Sequence, residues 1–304
     1  MQASRPARNP GPSWGYRFLR GCDRVLPEAV FRPVRGIGTA IAMVWMPEQR
    51  RHSRDYLALV LGRRPGWRDI WRHFFAFEEA LMVKLRVING RPHRTVYGAG
   101  AEDFRAWLEG GGPVLLGTFH VGVSDLLGCQ IGGYEAQQVY VVRRRVGNSH
   151  DIDKLAERFG GRLHFVWVNE PGEMIFALKE AAATQAAIAM QCDRMEFAAR
   201  TEEFEFLGAR RRFPFTIYHL ALIFGRPVLL SVGLPDGREL AVLHASPRFD
   251  LRPGEPRGQT LERARAHFQA FLFQLEELLV RHPYLWFNFT RMNPPVGGPA
   301  ATPT

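Results

Sequence analysis

Gly111-Gly-Pro-Val-Leu-Leu-Gly-Thr-Phe-His-Val-Gly-Val-Ser-Asp125 carries a turn signal, a short apolar run and a histidine followed five residues later by an aspartate. Gly111-Gly112-Pro113 is a turn signal, and the apolar run Val114-Leu115-Leu116 is short enough for one buried strand. Gly117, Thr118, Phe119 and His120 follow, and a second apolar segment, Val123 to Ile131, reads as a helix. His120 therefore falls where a strand hands over to a helix. In α/β folds that edge is where ligands bind.

Asp125 lies five residues beyond His120. On a regular helix that spacing is about 500° of rotation and leaves the two side chains ~140° apart. They meet only if His120 lies in the loop and Asp125 in the first helical turn. Asp125 then accepts a hydrogen bond from one ring nitrogen, which fixes the tautomer and frees the other nitrogen as a base. On these residues alone the plainer reading stands ahead: a loop histidine and a helix-start aspartate with no shared chemistry. Short motifs match by chance.

Outward from this stretch, strands and helices alternate, the pattern of a largely parallel sheet covered by helices. The spacing predicts strands over 113–119, 137–143, 162–168 and 186–191 and helices over 123–131, 149–159 and 171–183. It then predicts a helix over 213–224, strands over 226–232 and 239–245, and a long helix over 260–281. Upstream, 48–62 and 67–88 read as helices, with a short strand from Val96 and a short helix from Glu102 to Leu108. Trp14 to Met46 interleaves aromatic and aliphatic residues with Arg17, Arg20, Arg24, Arg32 and Arg35. That pattern suits a helix lying on an anionic membrane and equally an ordinary helix packed on a core.

The expected organisation is a single α/β domain with a mostly parallel central sheet flanked by helices, over 111–292. An N-terminal helical region over 14–110 precedes it. The tails, 1–13 and 293–304, are Pro-, Gly- and Arg- or Ala-rich and read as disordered.

The 304 residues carry a formal charge of +10, which suits an anionic partner: a phospholipid surface, an acidic carrier protein or nucleic acid. Surface charge for solubility accounts for it as well. No zinc-finger, RNA-recognition or basic-zipper pattern is present, so no nucleic-acid partner is expected. At 46% apolar residues the composition is that of a globular protein. The apolar stretch Ile37 to Met46 is too short to span a bilayer. Cys22, Cys129 and Cys192 fit neither a metal motif nor a disulfide framework, which suggests a reducing compartment. No histidine constellation argues for a metal, and Ser124 is not in a nucleophile elbow.

The His-x-x-x-x-Asp spacing after a hydrophobic strand resembles the signature of the glycerolipid and lipid A acyltransferases. Three further segments are similar to the lipid A late acyltransferase branch. They are Val139-Tyr-Val-Val-Arg-Arg-Arg-Val-Gly-Asn148, Ala187-Ile-Ala-Met-Gln-Cys-Asp193 and His282-Pro-Tyr-Leu-Trp-Phe287. The resemblance runs from about residue 111 to 289, and 14–110 matches weakly. The chain departs from the family where Asp193 is followed by Arg194, and where Asn288-Phe-Thr-Arg291 replaces an arginine-rich run.

The resemblance implies a glycerolipid acyltransferase-like fold. It also implies transfer of a fatty acyl chain from acyl carrier protein or coenzyme A to a lipid A-like or other glycolipid hydroxyl, with no cofactor. His120 is then the general base and Asp125 its orienting carboxylate. Arg144 is the oxyanion donor, with Arg143 and Arg145 one register away and backbone groups near Gly117 as helpers. Asp193 binds acceptor hydroxyls or holds an arginine; as an ordinary residue it is a solvated carboxylate at a strand end. The run Arg210-Arg211-Arg212 either meets lipid phosphate or an acidic carrier, or is a solvated loop. The implied place is the cytoplasmic face of the bacterial inner membrane, peripheral or monotopic. The alternative is a catalytically silent membrane-surface or carrier-binding protein of the same fold.

Overall fold

The computed structural model describes residues 13–98, 100–124, 126, 138–143, 162–168, 170–195, 200–291, 293 and 296. Four helices lead: α1 (Ser13–Val25), α2 (Glu28–Trp45), α3 (Pro47–Leu61) and α4 (Trp67–Ile88). Their boundaries follow local chemistry. Met46 precedes Pro47 and is barred from continuing α2, while Pro47 suits the first turn of α3. Gly62, at φ +62°, closes α3 in the left-handed conformation. Asp69 accepts the Gly66 N–H at 2.9 Å and caps the start of α4.

Next come β1 (Arg94–Tyr97), α5 (Glu102–Gly110), β2 (Leu115–Gly122), β3 (Val139–Arg143), β4 (Leu163–Trp167), α6 (Pro171–Ala183) and β5 (Ala187–Gln191). The hairpin β6 (Thr201–Phe206) and β7 (Ala209–Pro214) follows. The chain then runs through α7 (Thr216–Phe224), β8 (Val228–Pro235), β9 (Leu240–Ala245) and α8 (Arg257–Arg281).

Seven strands form one sheet in the order β1-β9-β8-β2-β5-β3-β4. From β8 to β4 all neighbours are parallel; β9 runs antiparallel to β8, and β1 lies parallel to β9. β2 therefore sits centrally, and the connections leave it toward both edges. That is the topological switch point at which open α/β sheets bind ligands.

One sheet face packs on α8, whose Phe268, Phe271, Leu272 and Leu275 recur at helical spacing and are buried. Phe119 of β2 meets Phe271 at 5.3 Å between ring centres. The other face packs on Phe104, Trp107 and Leu108 of α5. Each such aromatic burial contributes roughly 2–3 kcal/mol. In the helical region, buried Arg35 donates to Glu28 and Glu78, and Arg86 donates to Asp23 and Glu28. Those ion pairs join α1, α2 and α4. A network of this kind specifies one arrangement more than it adds net stability.

Three expectations change. β2 extends to Gly122, so His120 lies within a strand and not in a loop. The segment from 201 to 214, read in part as loop and in part as the start of a helix, is a β-hairpin, and α7 begins only at Thr216. Alternation decides this: Phe204 and Phe206 of β6 and Arg211 and Phe213 of β7 are buried on one face, a period of two. Asn293, placed by composition in a disordered tail, is buried, and its side chain donates to the Arg212 carbonyl at 2.7 Å. The expected helix over 149–159 lies outside the described residues. So does the helix over 123–131, apart from Val123, Ser124 and Leu126.

Candidate active site

β2 carries His120 to the edge of the sheet. Its ladder with β5 ends at Thr118 opposite Gln191, and its register with β8 shifts between Thr118 and Gly122. Beyond Gln191 the β5 chain turns at Cys192-Asp193, leaving that side of residues 120–122 unpaired by β5. The C-terminal segment takes the vacant place. Phe287 N–H donates to the His120 carbonyl at 2.7 Å, Gly122 N–H donates to the Leu285 carbonyl at 2.8 Å, and Val121 bridges Trp286 antiparallel.

This arrangement surrounds Asp193 with donors. Its Oδ1 accepts His120 Nδ1–H at 2.8 Å. Its Oδ2 accepts the His120 backbone N–H at 2.8 Å and the Trp286 indole N–H at 2.9 Å. Asp193 is 0% exposed. Burial pushes its carboxyl up, but the His120 ring, the Arg194 charge and the Trp286 N–H more than offset that. They hold it well below the usual carboxylate range.

An ionised Asp193 can only accept, so the ring proton sits on His120 Nδ1. Nε2 then presents its lone pair. It makes no hydrogen bond to another described residue, and the side chain keeps 16% of its surface. The site thus offers an oriented, solvent-reached base with a buried counter-charge behind it.

The support continues into the helical region. Trp286 is held edge-on between Tyr56 and Phe206, at 5.1 and 5.5 Å between ring centres. Its carbonyl accepts His73 Nε2–H at 2.8 Å, and the Ser53 hydroxyl donates to His73 Nδ1 at 2.8 Å. Burial lowers the His73 pKa to about 4, against the pull of the Trp286 carbonyl, so this ring is neutral. Ser124 is also structural: it donates to the Val121 carbonyl and accepts the Gly233 N–H.

Asp193 is the residue whose expected surroundings differ most. It is neither solvated nor open to acceptor hydroxyls, because protein donors engage both its oxygens. Gly117 lies mid-strand, in register with both Met190 and Leu230. A Cβ there would stand 2.4 Å from Leu230 Cδ2. Packing accounts for this glycine, and its backbone belongs to the ladders instead of an oxyanion site. Asp125, Arg144 and Arg145 lie outside the described residues. Arg143 ends β3, with its guanidinium 5.9 Å from the Phe165 ring centre. Arg210 and Arg212 pair with Glu205 and Glu203 across the hairpin. Arg211 is buried and donates to the carbonyls of Phe206 and Asn293. Among the described residues no group of three or more His, Cys, Asp or Glu is placed to hold a metal ion.

Sequence reasoning missed Trp286, His73 and Ser53 as parts of this site. Trp286 lies in a segment singled out for family likeness, which was the available signal. Nothing local marks His73 or Ser53.

No protein-family model and no curated protein matches the chain. Among solved structures it is similar to the 1-acyl-sn-glycerophosphate (LPA) acyltransferase PlsC from Thermotoga maritima. The two share 12% identity with a TM-score of 0.35, over 83% of this chain and 97% of that one.

Proposed function

We propose that this protein is an acyltransferase with His120 as general base. It moves a fatty acyl chain from a thioester donor, acyl carrier protein or coenzyme A, to a hydroxyl of a lipid A-like or other glycolipid. The observation that carries this reading is the His120 ring, pinned through Nδ1 to buried Asp193 at the switch point of the sheet, with no described residue bonded to Nε2. The His-x-x-x-x-Asp spacing is consistent with it.

In the reaction, Nε2 takes the acceptor's proton as the hydroxyl oxygen bonds to the thioester carbon. Asp193 stabilises the imidazolium that forms. The tetrahedral intermediate carries an oxyanion, for which Arg144 remains the proposed donor. Collapse breaks the C–S bond, and the leaving thiolate takes the proton back from Nε2. Asp125 is proposed as a second carboxylate serving the same ring.

We further place the protein on the cytoplasmic face of a bacterial inner membrane as a peripheral protein. The support is one face of α2, where Val30, Val34, Ile37, Ile41 and Val44 are exposed at helical spacing. Among the described residues no helix is long and apolar enough to cross a membrane.

The test is thiol release from an acyl-carrier or acyl-coenzyme A thioester, with and without a glycolipid acceptor. Acceptor-dependent release that falls about 10²–10⁴-fold in His120→Ala is expected. A folded His120→Ala variant with unchanged turnover overturns the assignment. A wild-type protein that binds donor and releases nothing points to a silent carrier-binding protein.

A further inference from the structure

An open groove of about 1280 Å³ lies between α2, α4 and the segment from Arg281 to Leu285. Its floor is apolar. Trp71 and Phe75 stack at 4.9 Å between ring centres, beside Gly36, Ile37 and Ala40 of α2. Trp71 also donates its indole N–H to the Gly36 carbonyl at 3.1 Å, and a Cβ on Gly36 would stand 3.3 Å from that ring. The glycine lets helix and aromatic floor approach.

The rim carries more positive than negative charge. Glu79 is taken by Arg32 at 2.8 Å. Glu28 is taken by the buried Arg35 and Arg86, with Arg238 at 3.7 Å. Arg72 and Arg281 have no carboxylate partner among the described residues. Arg72 lies 5.8 Å from the Tyr284 ring centre, and Arg281 donates only to the Glu277 carbonyl at 3.3 Å. Both are exposed.

Two cations without counter-charge beside an apolar floor match one ligand chemistry, an anionic headgroup joined to an apolar chain. The position of the groove agrees. Ile37 belongs both to the groove and to the exposed apolar face of α2, the route by which a lipid would arrive. At the far end Leu285 accepts the Gly122 N–H, two residues from His120.

We propose that this groove binds a phosphoryl-bearing membrane lipid, its phosphate against Arg72 and Arg281 and its chain along Trp71, Phe75 and Ile37. The proposal deepens the reading above and rests on it only for the lipid's part in the reaction.

The experiment is calorimetric titration with monomeric dihexanoylphosphatidic acid, dihexanoylglycerol and inorganic phosphate. The proteins are wild type, Arg72→Gln, Arg281→Gln, the double variant and His120→Ala. Phosphatidic acid should bind at least tenfold more tightly than either other probe. Each arginine variant should weaken it about fivefold, and the double variant more. His120→Ala should bind as wild type does. Equal binding of dihexanoylglycerol, phosphate binding as tight as the lipid, or unchanged affinity in the double variant overturns the proposal. Lipid binding lost in the double variant, from a protein that never transfers an acyl chain, leaves the groove standing and removes the acyltransferase. Acyl transfer with unchanged acceptor KM and unchanged lipid affinity in the double variant does the reverse.

Discussion

The Trp286 indole N–H donates at 2.9 Å to Asp193 Oδ2, the oxygen that also takes the His120 backbone N–H at 2.8 Å. One carboxylate oxygen thereby ties the C-terminal segment to the end of β2, while the other orients the ring. Trp286 is a positioning residue: it reaches the reacting atoms only through Asp193 and His120. Trp286→Phe keeps the ring between Tyr56 and Phe206 and removes one hydrogen bond to a charged group. It should lower stability by about 1.5–3 kcal/mol. It should also lower kcat with little change in acceptor KM, because the bond supports charge formed in the transition state. Urea unfolding and steady-state kinetics of the one variant read both effects.

Asp193→Asn tests the tautomer. Two N–H donors face Oδ2, so the amide oxygen should take that side and the amide NH2 should face His120 Nδ1. The ring proton is then forced onto Nε2, where the base must be empty. Turnover should fall about 10³–10⁴-fold with the fold retained. A folded Asp193→Asn enzyme within threefold of wild type would remove Asp193 from its orienting role.

His73 gives the structure an acid sensitivity. Burial lowers its pKa from the usual 6.5 to about 4. The folded state therefore binds fewer protons than the unfolded chain between these values. Its contribution is full above pH 6.5 and is lost as pH falls toward 4. The loss is on the order of 3 kcal/mol. Glu78, which burial raises to about 7 against the pull of Arg35, slopes the opposite way from 4.5 upward. Comparison with His73→Gln isolates the histidine. The urea midpoint of wild type should drop more between pH 7 and pH 4.5 than that of the variant.

Gly122 and Gly117 should differ in tolerance. A Cβ on Gly122 would stand 2.4 Å from the Gly233 carbonyl oxygen, and φ there is +54°. Backbone on both sides leaves little room to yield. At Gly117 the 2.4 Å neighbour is Leu230 Cδ2, the end of a side chain that can rotate. Gly117→Ala should cost about 1–3 kcal/mol by overpacking. Gly122→Ala should cost more and reduce activity as well, since it displaces β2 two residues from His120. Thermal unfolding of the pair ranks them.

The outer face of α2 should govern surface binding. Ile37 and Ile41 are 64% and 56% exposed, so Ile37→Glu and Ile41→Glu should leave the melting temperature unchanged. Vesicles with anionic lipid should bind the variants more weakly, and raised salt should release wild type. Undiminished binding by the double variant places the contact elsewhere.

Much of this was legible along the chain. The apolar run through Val114-Leu115-Leu116 needs burial on both faces, which makes it a central strand. The spacing of Phe268, Phe271, Leu272 and Leu275 marks the buried side of α8. Both follow from local periodicity, and both stand in the structure. The hairpin was less legible: charged residues at alternate positions, Glu203, Glu205, Arg210 and Arg212, look like loop composition until the period of two is seen across the pair.

Local pattern was enough for the fold class, the basic charge, and a central strand leading to His120, though not for the strand's extension through His120 to Gly122. Each depends on neighbours within a few residues. The carboxylate that holds the histidine emerges only from the folded sheet. Asp193 lies 73 residues from His120, and Trp286 a further 93. They meet because β5 lies beside β2 and ends early, and the C-terminal segment fills the space it leaves. Strand order and strand ends arise from the packing of the whole sheet, and no local spacing encodes them.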